Sequence, residues 1–363
     1  MKQTEPTPRA PIDAVRDLWE PSGPYLNTAS YGLPPRPAFE ALNAALADWR
    51  AGRVSWEPWA DSVDRSRAAW ARIVGVQAGD VAVGATVSEL IGLVAASLPD
   101  GARVVVPEIE FTSMLWPFMA HADRGVEVVT VPLDVVAETI DGATELVALS
   151  AVQSATGEVA DLDAIAGAAR DHGALIAVDA TQACGWLPLA AASFDFFACG
   201  AYKWLMSPRG TAFMAVRPDH LNSIRPLGAG WFAGDDVHQS YYGPPLRLAH
   251  DARRLDTSPA WFSWVGTQPA LELIEHIGVE AIHNHDVALA NRFRDGLGLS
   301  PGNSAIVAAD VPGAEGHLGR AGIRAAVRAG KLRASFHLYN TERDVEAALA
   351  ALAGRDRLQE TPG

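Results

Sequence analysis

The chain has 363 residues, 49% of them hydrophobic, which is enough for one large and one small domain with cores of their own. Its net charge is −14, from 29 basic against 43 acidic residues, and this argues against nucleic acid and anionic membranes as partners. No apolar run reaches membrane-spanning length, and the polar, proline-rich start MKQTEPTPRAP has no apolar signal region, so a cytoplasmic location is expected. Cys184 and Cys199, the 2 cysteines, lie in apolar contexts and match neither a disulfide nor a zinc pattern; they are read as core residues.

In chain order, the stretch YLNTASYG (residues 25–32) precedes a Pro-Pro-Arg-Pro run and a helix over 38–50. A tryptophan-rich loop spans 52–59. A helix over 61–74 follows, with Arg65, Arg67 and Arg72 on a face expected to be mostly solvated or at a subunit contact. A short strand at 81–84 leads to Thr86-Val87-Ser88-Glu89, which opens an apolar helix through Leu98. A hydroxyl at a helix start satisfies free backbone N–H groups, and the helix terminus attracts anions.

Strands are expected at 103–106, 126–131 and 146–151, the first ending in Glu-Ile-Glu-Phe and the last in a turn over 152–157. A helix over 161–172 then leads into a buried strand that ends at Asp179 and continues as Ala180-Thr181-Gln182. Strand–helix units of this spacing require parallel pairing. A carboxylate at the C-terminal end of such a strand lies where open α/β sheets bind ligands.

The next apolar run, 194–199, opens into Gly200-Ala201-Tyr202-Lys203-Trp204, a Ser-Pro-Arg-Gly turn, and a further apolar run over 211–216. A lysine held in an apolar wall has a desolvated ammonium, a lowered pKa and an amine free for Schiff-base chemistry. Spacing alone also allows a surface lysine at a strand end. Lys203 together with Asp179 suggests a lysine-bound pyridoxal phosphate (PLP), its pyridinium nitrogen facing an acid.

VDATQACG followed by GAYKWLMSPRG resembles the class V aminotransferase group, PLP enzymes of fold type I that include cysteine desulfurases, selenocysteine lyase, kynureninase and isopenicillin N epimerase. The resemblance runs from Tyr25 to about Leu352. It implies an α/β fold whose large domain, residues 12–260, has a mostly parallel seven-stranded sheet sandwiched by helices. A smaller α+β C-terminal domain over 261–355 and flexible tails at 1–11 and 356–363 are expected.

Carried onto this sequence, the resemblance makes Lys203 the Schiff-base lysine, Asp179 the partner of the pyridine nitrogen, and Gln182 the residue that bonds the phenolic oxygen or fixes the ring tilt. Thr86, Val87 and Ser88 would bind the cofactor phosphate, Phe111 would stack on the ring, and Ser154 would contact the phenolic oxygen or the substrate. Tyr202 would hydrogen-bond phosphate or substrate, or only pack. Trp231, in Gly-Trp-Phe-Ala, would approach the phosphate. Ser258 (or Thr257) would reach the phosphate of a neighbouring subunit, which implies a homodimer. Arg333, in the Arg-x-Ser…Tyr-Asn-Thr signature over 333–341, would grip the substrate α-carboxylate as a bidentate fork. Ser30 and Tyr31 would meet the substrate at the mouth, with Trp56, Trp59 and the 261–264 region suggesting further room.

Departures from the family pattern bear on the reaction. Desulfurases need a mobile cysteine near the loop expected over 322–329 to receive sulfur, and this chain has no cysteine after Cys199. Phe111, Tyr202-Lys203 and Gly230-Trp231 lean towards a kynureninase-like pocket, although that family's second tryptophan is replaced by Phe232. The expectation is a PLP enzyme acting on an amino-acid-like small molecule by elimination at a Cβ–S or related bond. Transamination or epimerisation is the alternative, and a non-catalytic scaffold a lesser one.

Overall fold

The structure, a computed structural model, describes residues 11–354; the expected tails at 1–11 and 356–363 lie outside the described residues apart from Pro11. Seven strands form the central sheet: β1 (Val81–Gly84), β2 (Arg103–Pro107), β3 (Glu127–Val131), β4 (Thr144–Ser150), β5 (Leu175–Asp179), β6 (Phe196–Gly200) and β7 (Ala212–Val216). Their order is β1-β7-β6-β5-β4-β2-β3. Pairings from β3 through to β6 are parallel, and β7 runs antiparallel to both β6 and β1. The inner strands are continuous apolar runs because helices cover both faces; β1, β6 and β7 are buried throughout, whereas the edge strand β3 is half-exposed.

One core packs on each face of this sheet. On the first, Trp70 stacks on Phe213 with ring centroids 5.0 Å apart, fixing the helix Glu57–Val74 to β7. That helix begins earlier than its sequence suggests, because Pro58 fits a first turn where no N–H is needed, and it takes in Trp59. The solvated arginine face holds for Arg65 and Arg72 but not for Arg67, which is 4% exposed and paired with buried Asp256.

A second, antiparallel sheet contains β8 (Ile306–Ala309), β9 (Ala326–Arg328) and β10 (Lys331–Ser335), in the order β8-β10-β9. It shares a core with the helices Val279–Gly296 and Glu342–Ala353. The loop expected over 322–329 is in part strand β9. Two residues, Ala329 and Gly330, join it to β10, both with positive φ (47° and 77°), as tight hairpins of the type I′ class require.

The N-terminal segment ties the two sheets together. Tyr25 bridges to Arg324 and Asn27 to Ser335, in β10. Ser335 Oγ accepts from the Ala29 N–H (3.0 Å), the Tyr339 hydroxyl bonds Thr28 Oγ1, and Asn340 Nδ2 donates to the Tyr25 carbonyl (3.0 Å). Three members of the C-terminal signature thus anchor residues 25–29, each bond contributing about 0.5–1.5 kcal/mol.

Candidate active site

β5 and β6 pair in parallel, with Asp179 opposite Ala198, so their C-terminal ends open side by side. Asp179 is 4% exposed at the end of β5. Lys203 lies in the turn after β6, 5% exposed, with Trp204, Leu205 and Met206 wholly buried behind it. The turn is tight: Met206 donates its N–H to the Lys203 carbonyl (3.1 Å) and takes φ 53°, a left-handed conformation that costs a non-glycine residue about 1 kcal/mol or more.

Burial pulls the Lys203 ammonium down to about 8; Asp179 opposes that pull, and Arg333 and Arg209 add to it. The same burial raises the Asp179 carboxyl, against its bonds from Thr181 and the charge of Lys203. The desolvated lysine expected from the sequence is therefore present, and the surface alternative is not.

These two groups face a cavity of about 100 Å³. Phe111 and Tyr202 flank the amine, with Lys203 Nζ 5.4 and 5.7 Å from their ring centroids. Thr86, Val87 and Ser88 line the cavity at the start of the helix Val87–Ser97. Thr86 caps it by accepting the Glu89 N–H (3.2 Å), and its hydroxyl lies 3.1 Å from that of Ser88. The first-turn N–H groups of Val87 and Ser88 have no intrahelical acceptor, so this rim is suited to an anion.

Gln182 lines the cavity, yet its amide is committed within the protein. Nε2 donates to the Ala29 carbonyl and to Ser154 Oγ, both at 2.9 Å, while Oε1 accepts from Trp204 Nε1 at 2.9 Å. The indole can only donate, which fixes the orientation of the amide. Gln182 therefore ties the N-terminal segment, the Ser154 turn and the lysine turn together.

Arg333 is 2% exposed on β10 and reaches the same place, donating from Nη1 to the Ser154 carbonyl (2.6 Å) and from Nη2 to Ser30 Oγ (2.6 Å). Tyr31 stands beside Tyr202 (centroids 5.7 Å) and accepts the Arg209 N–H at its hydroxyl (3.1 Å).

Two expected residues lie elsewhere. Trp231 packs in an aromatic cluster with Trp56, Tyr241 and Trp261, and Ser258 is exposed beyond Asp256; neither lines this cavity within one chain. Trp56 and Trp59 are likewise remote from it, Trp59 packing on Phe262.

Three contributors escaped the sequence reading. Thr181 lines the cavity and accepts the Gly200 N–H (2.8 Å), bracing β5 against β6. Arg209 lies 4.8 Å over the Tyr202 ring. Glu110, 6% exposed, accepts the N–H groups of Phe111 and Ser150 (2.7 Å each) and the Gln153 amide (3.0 Å), and so sets the position of Phe111. The visible signals were the threonine inside Asp-x-x-Gln, the arginine inside Ser-Pro-Arg-Gly and the acid before the phenylalanine.

Comparison with known proteins shows the family and the fold. The sequence model of the family described as aminotransferase class V matches residues 59–315. An "uncharacterized aminotransferase YcbU" of Bacillus subtilis is 28% identical over 324 residues, covering 83% of this chain and 86% of its own. Isopenicillin N epimerase of Streptomyces clavuligerus is 27% identical over 320 residues, covering 80% and 78%. Among solved structures, the cystine C-S lyase C-DES in complex with cysteine persulfide superposes with a TM-score of 0.83 over 92% of this chain and 97% of its own, at 22% identity. That likeness shows the fold, and it agrees with the expected fold type I architecture.

Proposed function

This chain belongs to the class V aminotransferase family of PLP-dependent enzymes, and on that premise we propose that it is a lyase that eliminates a Cβ substituent, in particular a Cβ–S bond, from an amino-acid-like substrate. The observation behind this reading is that no thiol reaches the cavity, which sets aside persulfide-forming desulfuration. Cys184 and Cys199 are 3% and 0% exposed within the core, and no cysteine follows Cys199. A persulfide-forming desulfurase needs an accessible thiolate to receive sulfur. Without one, sulfur leaves with the product.

The cavity fits PLP on its own chemistry: an amine near 8, a buried carboxylate beside it, a flat aromatic face at Phe111, and a hydroxyl-bearing helix start. Lys203 Nζ would hold the cofactor covalently, and Thr86, Val87 and Ser88 would take its phosphate. Asp179 would face its ring nitrogen, Phe111 would stack on it, and Ser154 and Tyr202 would bond its polar edge. When bound, PLP supplies an electron sink for the substrate Cα. Arg333 would receive the α-carboxylate, with Ser30 and Tyr31 at the mouth, and Lys203 Nζ would move the Cα proton. A lysine amine that is half neutral near pH 8 can take that proton and return it. Trp231 and Ser258 would serve the phosphate of a second subunit in a homodimer, and an amino-acid-like small molecule, free of nucleic acid or membrane, would be the sole further partner.

YcbU and the epimerase keep amino transfer and epimerisation as the competing readings. The test is to add S-substituted cysteines and other amino acids to the holoenzyme while recording its visible spectrum and the products. Elimination predicts pyruvate and ammonia over many turnovers, with the starting spectrum restored. Stoichiometric conversion to pyridoxamine phosphate, with no keto acid from an eliminated side chain, would overturn it in favour of amino transfer.

A further inference from the structure

Arg328 and Arg333 converge on one oxygen. Arg333 Nη2 donates to Ser30 Oγ at 2.6 Å and Arg328 Nη2 donates to the same Oγ at 3.2 Å, so the two guanidinium groups approach within about 6 Å of each other. The β9–β10 register explains why. Arg333 pairs with Ala326 and Lys331 with Arg328, and side chains two apart along a strand share a face, so Arg328 and Arg333 project from the same side of the sheet. The two-residue Ala329–Gly330 hairpin holds Arg328 at the strand end.

Neither arginine has a carboxylate within ion-pair distance among the described residues, in contrast to Arg72 with Glu275 and Arg124 with Asp100. Burial, and after it the charge of Arg328, pull the Arg333 guanidinium down to about 10.

The donors are also incompletely used. Arg333 Nε is buried with no acceptor. Ser30 Oγ spends both lone pairs on the two guanidinium groups, which leaves its own O–H free to donate. Arg328 is exposed, at the outer end of this row. Two cations and two unspent donors, gathered at Ser30, provide for more negative charge than one α-carboxylate supplies.

We infer that the substrate carries a second anionic group, a carboxylate or an oxyanion of similar size on its side chain, and that Arg328 receives it across Ser30 while Arg333 holds the α-carboxylate. This rests on the reading of Arg333 given above. It makes the substrate an acidic amino acid or an S-substituted cysteine with an acidic substituent, and it makes Arg328 a specificity residue.

The test is binding without turnover. The holoenzyme is titrated calorimetrically at low salt with glutarate and with butyrate, a dicarboxylate and a monocarboxylate of similar length that have no amine to react. One charge-assisted contact corresponds to about 10-fold or more in affinity. Glutarate is expected to bind the wild type at least ~10-fold more tightly than butyrate, and Arg328→Gln to bring glutarate down to the butyrate level while leaving butyrate unchanged. Arg328→Lys is expected to keep most of the preference, since the charge remains. Equal weakening of both ligands by Arg328→Gln would mean that both arginines share one carboxylate, and would overturn the inference. So would no weakening, or a loss in Arg328→Lys as large as in Arg328→Gln, which would mark a packing effect at Ser30. These curves do not depend on the reaction: a lyase without the glutarate preference would overturn only this inference, and an aminotransferase with it only the elimination.

Discussion

His337 donates from Nε2 to the carbonyl of Trp204 at 2.9 Å, one residue after the candidate catalytic lysine. A carbonyl only accepts, so Nε2 carries a hydrogen. The other ring nitrogen meets Asp286 Oδ2 at 2.8 Å, and both side chains are wholly buried. The lysine turn of the large sheet is therefore held by a residue of the C-terminal signature and a carboxylate from the helix Val279–Gly296. His337→Ala would leave the Asp286 carboxylate and the Trp204 carbonyl short of a partner in the core. Loss of about 3 kcal/mol is expected, read as a lower denaturant midpoint at unchanged slope. Weaker retention of the cofactor on gel filtration should accompany it.

The lowered Lys203 ammonium gives a pH dependence with a definite sign. Only the neutral amine attacks the aldehyde of PLP, so capture by cofactor-free protein should rise with pH and level off above about 8, where an unperturbed lysine would keep climbing towards 10.5. Asp179 opposes the lowering. In Asp179→Ala the plateau should therefore begin at lower pH, measured by stopped-flow absorbance of the protein-bound cofactor.

Gly32 packs directly on the lysine turn. It donates its N–H to the Tyr202 carbonyl (2.9 Å), and a Cβ on it would fall 1.9 Å from the Lys203 carbonyl oxygen. That oxygen is backbone and cannot swing away. Gly32→Ala is expected to displace the turn and to lower cofactor incorporation several-fold while the global circular dichroism spectrum is kept. An unchanged capture rate would show that the N-terminal segment yields instead.

Arg67 and Asp256 form a buried pair at 2.7 Å, and Asp256 also accepts the Val83 N–H at 2.8 Å. This clamps the chain just before Thr257 and Ser258 to β1. Asp256→Ala leaves a buried guanidinium without its counter-charge and should cost about 3–5 kcal/mol by denaturant unfolding. Arg67→Met combined with Asp256→Leu removes both charges and should recover most of that loss.

How much of this was legible beforehand depends on the range of the cause. Lys203, Asp179 and the Thr86 helix start could be read because each is a local event: an apolar run long enough to be a strand, then a polar residue at its end. The family pattern fixed the order of these events, and the parallel pairing followed from strand–helix alternation. Which of the three arginines is buried could not be read locally, because an arginine three residues from Asp64 on a helix has the same local pattern whether it meets solvent or, as Arg67 does, Asp256, far away in sequence. β9 was hidden for a similar reason, since Ala326–Arg328 is a strand only by pairing with β10.

By itself, then, the sequence determined the α/β class, the lysine and the carboxylate each at a strand end, and the absence of a thiol downstream of Cys199. Periodicity, composition and counting are properties of a chain without a shape. Tertiary structure alone decided that Gln182 spends its amide on three other segments, that His337 supports the lysine turn, and that Arg328 and Arg333 meet at Ser30, some 300 residues earlier. Those relationships depend on which strands face each other and on burial, which removes water as the alternative partner, and no local pattern encodes either.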